Sequence, residues 1–201
     1  MKRISINKTN LQPHFIGSWA QKNEELCDQL IQYFERNREK HKKGTTASGV
    51  NLESKNSMDI SISPKDLKQE GNEIFNTYFQ NLFECYKDYM EQWPFLKTFA
   101  NKLDIGKFNL QRYLKGQHFN GVHSERTNLE TSHRVFAWMT YLNDVNESGE
   151  TYFSHYDVSI KPQKGLTLIW PADWTHAHKG HVINYGSKYI ITGWMNLPTE
   201  F

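Results

Sequence analysis

The sequence predicts a mostly β fold with flanking α-helices, and three observations predict it. From Phe108 onward, short apolar runs are separated by turn chemistry, the pattern of a β-sandwich or barrel. Before residue 105 two stretches carry apolar residues at helical spacing. Between these regimes lies Val135-Phe136-Ala137-Trp138-Met139-Thr140-Tyr141-Leu142, which is apolar on both parities and so reads as a central strand covered on both sides.

The elements follow in order. Around 19–39, Trp19, Leu26, Leu30, Ile31 and Phe34 predict an amphipathic helix, and over 69–92 a second runs through Ile74, Phe75, Tyr78, Phe79, Leu82, Phe83, Tyr86 and Met90. Both are expected on the outer face of the larger sheet. Between them, 41–57 is rich in Lys, Gly, Thr, Ser and Asn and reads as a mobile loop, followed by a short strand at Met58-Asp59-Ile60-Ser61-Ile62. Strands are expected near 108–115, 135–142, 150–154, 157–162, 165–170, 177–183 and 188–195. The turns fall at 143–149, Pro162-Gln163-Lys164-Gly165 and Asn184-Tyr185-Gly186-Ser187.

A chain of 201 residues is long enough for one substantial core, and an all-β unit of this size commonly stays whole, so 1–201 is expected to be a single domain. Within it, 1–105 supplies helical support and a substrate loop, and 106–201 the core. The 24 basic and 22 acidic residues are interspersed, and the one basic cluster, Arg36 to Lys43, reads as a solvated helix end rather than a nucleic-acid patch. Cys27 and Cys85 lie in helical stretches with no knuckle spacing and are expected to be reduced thiols. Met1 to Lys8 turns polar before any apolar leader forms, and no run approaches eighteen apolar residues. The expectation is a cytoplasmic protein without membrane or nucleic-acid partners; nothing in the sequence sets an oligomeric state.

Seven of the nine histidines fall between His118 and His181. In His123-Ser124-Glu125 an extended backbone turns residues two apart the same way, so an imidazole and a carboxylate can meet one ion. Two histidines and one carboxylate on one face of an octahedron leave positions open for a chelating cosubstrate and O₂, as in non-haem Fe(II) oxygenases. The third ligand has to come from Thr175-His176-Ala177-His178-Lys179-Gly180-His181. Strand parity places His176 and His178 on one face and does not choose between them.

These pieces stand in an order that resembles the catalytic core of the prolyl 4-hydroxylase-like branch of the 2-oxoglutarate oxygenases, over Tyr113 to Trp194. Tyr113 to Phe119 is similar to the strand and turn leading into that family's His-x-Asp, and Arg134 to Asn143 resembles its central strand. Gly149-Glu150-Thr151 and Pro162-Gln163-Lys164-Gly165 match its Gly-Glu-Thr turn and Pro-x-x-Gly. His178, Gly186 and Lys188, followed by Tyr189 to Trp194, are similar to its distal-histidine strand. The resemblance implies a double-stranded β-helix, or jelly-roll, with iron held by His123, Glu125 and His178. It selects His178 because the family's basic residue stands nine or ten positions beyond the distal ligand, as Lys188 does. In one respect the chain departs from the pattern: Glu125 stands where the family usually has Asp, and the added methylene moves the oxygen or the backbone by about an ångström.

The resemblance further implies an Fe(II)- and 2-oxoglutarate-dependent dioxygenase that uses O₂ to hydroxylate a C–H bond, releasing succinate and CO₂, with ascorbate as a possible reductant. Lys188 is expected to anchor the far carboxylate of 2-oxoglutarate. Thr192 and Trp194 share its strand face, Tyr141 can donate to the same carboxylate, and Tyr113 can donate at the metal end. A peptidyl proline is the first expectation for the substrate, with a free amino acid or other small molecule as the alternative. The loop 126–133 after the metal motif and the loop 41–57 are expected to border the entrance. A competing class is a cupin-like metal-binding module without redox chemistry. Lys188 with Tyr141 separates the two, since a bare metal binder has no use for an inward cation.

Overall fold

A computed structural model describes residues 1–4, 13–21, 23–46 and 49–198. Positions 5–8 of the N-terminal polar run and residues 47 and 48 of the 41–57 segment lie outside them.

The chain opens with β1 (Lys2–Arg3), β2 (Gly17–Ala20), α1 (Glu24–Arg36), β3 (Lys42–Lys43), β4 (Lys55–Asn56), β5 (Met58–Ile62), α2 (Glu73–Gln92), α3 (Leu96–Phe99) and β6 (Asp104–Ile105). It continues through β7 (Phe108–Leu114), β8 (His118–His123), β9 (Arg134–Tyr141), β10 (Thr151–Phe153), β11 (Val158–Ile160), β12 (Leu166–Pro171), β13 (His178–Gly180) and β14 (Ser187–Asn196). All the pairings are antiparallel. The larger sheet runs β1-β2-β12-β9-β14-β7-β5-β3, with β6 on β14, and the smaller runs β11-β10-β13-β8-β4. The strands from β7 to β14 are shared four and four, and the chain passes repeatedly from one sheet to the other, which makes the core a double-stranded β-helix.

Two buried clusters explain why β9 is apolar on both parities. Phe136 and Trp138 meet Phe75, Tyr78, Tyr86 and Tyr89 of α2 and Leu26, Leu30 and Phe34 of α1 on the outer face. Ala137, Met139 and Tyr141 pack instead with Phe153, Leu168, Trp170 and Ile190 between the sheets. The spacing of the α2 residues at three and four turns one stripe inward. Each fully buried Phe or Leu of that stripe contributes roughly 1.5–3 kcal/mol. No helix of the described residues is long and apolar enough to cross a membrane.

The structure corrects two boundaries. The first helix begins at Glu24 rather than 19, because the Asn23 side chain accepts from the Leu26 amide and caps it there. Trp19, seven residues before Leu26 and so in helical register by coincidence, belongs to β2, whose pairing with β12 extends the sheet. Its indole donates to Asp88 Oδ2 at 2.8 Å. The 41–57 segment is also more ordered than a mobile loop: β3 adds to β5, and β4 adds to β8, directly beside the metal motif.

Gly193 marks how closely β14 packs on its neighbours. A Cβ there would lie 2.6 Å from Trp138 Cζ2 and 2.8 Å from Phe108 Cβ, both held in the outer core. Gly193→Ala is expected to cost about 1–3 kcal/mol by overpacking, read as a lower urea midpoint at unchanged slope.

Candidate active site

The smaller sheet brings the metal motif together. In the β13–β8 pairing His178 stands directly opposite His123, and the ring centroids are 4.4 Å apart. Glu125 follows two residues after His123, and its amide donates to the Ala172 carbonyl. Its Oε1 lies 3.4 Å from His178 Nε2 and 3.8 Å from His123 Nε2. The ligand atoms of His123, Glu125 and His178 all lie within 4.8 Å of one another.

Both rings are oriented from behind. His123 Nδ1 donates to the Gly121 carbonyl and His178 Nδ1 to the His176 carbonyl, each at 2.9 Å. A carbonyl only accepts, so Nδ1 of each ring carries a proton, and Nε2 is the atom turned toward the centre. Burial, with His178 beside it, pushes the His123 imidazole down to about 4, which keeps it neutral. Burial alone would raise the Glu125 carboxyl. The His178 hydrogen bond, the His123 and His178 charges and the Trp194 hydrogen bond outweigh it and bring the group down to about 2. Two imidazoles held through Nδ1 and a carboxylate beside them form the donor set a divalent iron takes, so the residues fit that ion.

His176 is elsewhere. It ends a 3-10 turn at Trp174–His176, so strand parity does not apply to it, and its Nε2 donates to the His14 carbonyl at 3.0 Å. His181 Nδ1 faces Glu150 at 3.9 Å.

A cavity of about 550 Å³ runs inward from these residues between the sheets and reaches Lys188, Thr192 and Trp194 on β14. Lys188 is 3% exposed. Its Nζ donates to the Gly149 carbonyl at 2.9 Å and lies 4.9 Å from the centre of the Tyr113 ring. Among the described residues no carboxylate comes within ion-pair distance of it. Burial pushes its ammonium down to about 8, against the weaker opposing pull of Glu150. A buried cation without a counter-charge, facing a cavity, fits a ligand that brings its own carboxylate. That is what 2-oxoglutarate offers.

The remaining predicted residues are placed as follows. Tyr113 lines the cavity, but its hydroxyl donates to Gln111 Oε1 at 2.7 Å, beside Lys188 rather than at the metal end. Tyr141 is fully buried behind the wall and donates to Thr151 Oγ1 at 2.6 Å, so Thr151, not Tyr141, presents its hydroxyl to the cavity. Thr192 donates to the Trp138 carbonyl at 2.8 Å. Trp194 lies at the metal end, where its Nε1 donates to Glu125 Oε2 at 2.7 Å.

Sequence reasoning missed three groups here. Arg134 stacks on Trp194 with its guanidinium carbon 3.7 Å from the ring centroid. Phe119 stacks on His123 at 3.8 Å and 10°. At the mouth, Lys55 pairs with Asp59 at 2.8 Å, and Asp59 also accepts from Ser57 and Gln111. The period-two rule would have placed Asp59 opposite Ile60 and Gln111 on the face of Tyr113. No motif announces the lysine.

Residues 108–196 match the family described as the 2OG-Fe(II) oxygenase superfamily. That span begins at β7, ends with β14 and contains the three converging side chains together with Lys188. The likeness to that superfamily therefore covers the strands that carry the site. The chain is also similar in sequence to two proteins of Arabidopsis thaliana. Probable prolyl 4-hydroxylase 9 is 28% identical over 134 residues, and prolyl 4-hydroxylase 13 is 27% identical over 118. The match takes in 54% and 46% of this chain, which spans less than half the length of those relatives, 46% and 43%. In fold, the chain is similar to the viral collagen prolyl hydroxylase of Paramecium bursaria Chlorella virus-1, with TM-score 0.67 at 18% identity, over 92% of this chain and 98% of that one. A Pseudomonas putida prolyl-4-hydroxylase gives TM-score 0.69 at 15% identity, over 94% and 96%. The Trichoplax adhaerens prolyl hydroxylase in complex with a hypoxia inducible factor peptide fragment gives 0.69 at 16%, over 92% and 85%.

Proposed function

We propose that this chain is an Fe(II)- and 2-oxoglutarate-dependent dioxygenase that hydroxylates a peptidyl proline. The observation that carries the reading is the pairing of two features in one cavity: the His123, Glu125 and His178 cluster at one end and the counter-charge-free Lys188 at the other. A bare metal binder accounts for the first and leaves the second unexplained. His123, Glu125 and His178 would hold the iron, and Lys188 the far carboxylate of 2-oxoglutarate, with the Thr151 hydroxyl on the same wall. Bound iron, 2-oxoglutarate and O₂ supply the oxidising power, spent in decarboxylating the oxo acid to succinate and CO₂ while a C–H bond becomes C–OH.

The chain's own residues do the rest. Carbonyls behind both imidazoles hold Nδ1 and aim Nε2 at the centre, and the apolar walls of Met139, Trp170 and Ile190 would keep water from the reacting end. At the mouth, Thr127, Asn128 and Thr131 of the loop after the metal motif face Thr45, Thr46, Asn51 and Ser54 of the other loop, and these polar side chains would meet the backbone amides of a peptide. The prolyl hydroxylase names of the relatives, and the peptide in the Trichoplax complex, favour a peptidyl proline over a free amino acid.

The test is turnover with Fe(II), ascorbate and 2-oxoglutarate, following succinate by mass spectrometry, with proline-containing peptides and free L-proline offered in parallel. A gain of about 16 Da in a peptide, matched by succinate, is the expected result. Hydroxylation of free proline alone would move the substrate to the small-molecule class, and a metal-binding protein that never forms succinate would sink the oxygenase reading.

A further inference from the structure

Glu125 is the one place where the metal motif departs from the aspartate of the family it resembles, and the structure shows what receives the longer side chain. Its two carboxylate oxygens have different neighbours. Oε1 faces the imidazoles, 3.4 Å from His178 Nε2 and 3.8 Å from His123 Nε2. Oε2 turns away and accepts from Trp194 Nε1 at 2.7 Å. Trp194 is placed for this by β14, where it stands opposite the small Ala137 of β9. Arg134, at the start of β9, covers the indole face at 3.7 Å and donates through Nη1 to the Glu125 carbonyl at 2.9 Å. The same nitrogen stays 3.9 Å from Oε2, so the hydrogen bond to the outer oxygen comes from the neutral indole.

That division has a chemical consequence. A glutamate has one more rotatable bond than an aspartate, and ordering it for a ligand role costs side-chain entropy. An indole N–H is a donor only, and it holds the outer oxygen at hydrogen-bond distance while the Arg134 charge stands farther off, at 3.9 Å. We infer that Trp194 is a positioning residue that makes Glu125 a one-oxygen ligand, presenting Oε1 to the metal while Oε2 stays on the indole, with Arg134 bracing the ring. The inference rests on the reading that His123, Glu125 and His178 hold a divalent metal.

An aspartate at 125 would withdraw the carboxylate by about an ångström, stretching the 2.7 Å contact beyond hydrogen-bond range. Trp194 should therefore matter for the glutamate and not for an aspartate. The experiment is a Mn(II) titration of the metal-free full chain, counting free Mn(II) by electron paramagnetic resonance, for wild type, Trp194→Phe, Glu125→Asp and the double variant. Phenylalanine keeps a ring for Arg134 to cover and removes only the donor. Trp194→Phe is expected to weaken Mn(II) binding about tenfold to a hundredfold beside Glu125, the usual effect of losing a group that orients a ligand. Beside Glu125→Asp the same change is expected to cost less than about threefold, a coupling that a general loss of stability would not produce. Equal losses in both backgrounds, or no loss beside Glu125, overturn the assignment. If Glu125→Asp binds no Mn(II), the result beside Glu125 decides alone. Wild type that binds no Mn(II) overturns the metal-site reading itself and takes this inference with it, whereas wild type that binds while Trp194→Phe binds equally well removes only the inference.

Discussion

Replacing Lys55 with methionine is expected to lower the stability of the folded chain by about 3 kcal/mol. The Lys55 ammonium sits 2.8 Å from Asp59 Oδ2, with side-chain exposures of only 5% and 9%. Methionine preserves most of the stem beside Phe119 and removes the charge, so Asp59 is left buried without its cation. Breaking a buried pair from one side typically costs about 3–5 kcal/mol. Ser57 and Gln111 still donate to Asp59, at 2.8 and 3.0 Å, and hold the loss near the lower end. With a urea slope of about 2 kcal/mol per molar, the midpoint falls by about 1.5 M. The decisive control is Lys55→Met with Asp59→Leu: removing both charges should recover most of the loss, because a buried ion pair often does no better than apolar side chains of similar volume. A double variant as unstable as the single one would show that the lysine stem, and not the stranded carboxylate, carried the effect. The latch also has a local reader. The Gly121 amide donates to the Ser54 carbonyl, the Gly121 carbonyl accepts from His123 Nδ1, and a Cβ at 121 would fall 2.1 Å from Ser54 Oγ. Loosening β4 should speed hydrogen exchange at the Gly121 amide before it disturbs the outer core.

That latch also shows why part of the site was hidden in the sequence. Features set by local period were legible: β9 is apolar on both parities because one face meets the helices and the other the opposite sheet, and the stripe of α2 is apolar because one face is covered. Lys188 was legible because it stands near the start of a strand, β14, whose alternation could be counted into the cavity. Features set by pairing across long separations were not. Lys55 lies in a polar stretch that reads as solvated, and only the addition of β4 to β8 and the register of Asp59 opposite Gln111 bury it. The strand β8 itself alternates half-buried and exposed residues without an apolar face, so His118 to His123 gives no strand pattern, although it carries the first candidate ligand. His176 and His178 were inseparable by parity, since parity assumes an unbroken strand. The 3-10 turn at Trp174–His176 breaks it and sends the two rings to different partners.

The largest functional effect is expected at Lys188. Its ammonium is 3% exposed, held by one carbonyl at 2.9 Å, and pushed down to about 8 by burial. If it anchors the far carboxylate of 2-oxoglutarate, Lys188→Ala strands that anion, and truncating one partner of a buried charge pair typically costs about 2–5 kcal/mol in binding. That is an affinity roughly thirty-fold to several-thousand-fold weaker, since about 1.4 kcal/mol is tenfold. The lowered value adds a pH dependence with a definite sign. The anion needs the charged form, which the unliganded protein holds below about pH 8 and loses above it, so affinity should fall as pH rises through that value, approaching about tenfold per unit. In Lys188→Ala that part of the pH dependence should vanish. Mn(II) binding should be nearly untouched by the change, because Lys188 lies at the far end of the cavity from the three converging side chains. His178→Ala should behave the other way, losing the metal first and the chelating oxo acid with it. The measurement is a titration of 2-oxoglutarate into the anaerobic Fe(II) protein at several pH values, following the visible charge-transfer absorption of the chelate. Equal affinities and equal pH profiles for wild type and Lys188→Ala would remove Lys188 from the pocket. A wild type that binds Fe(II) without developing the band would return the protein to the class of metal-binding modules.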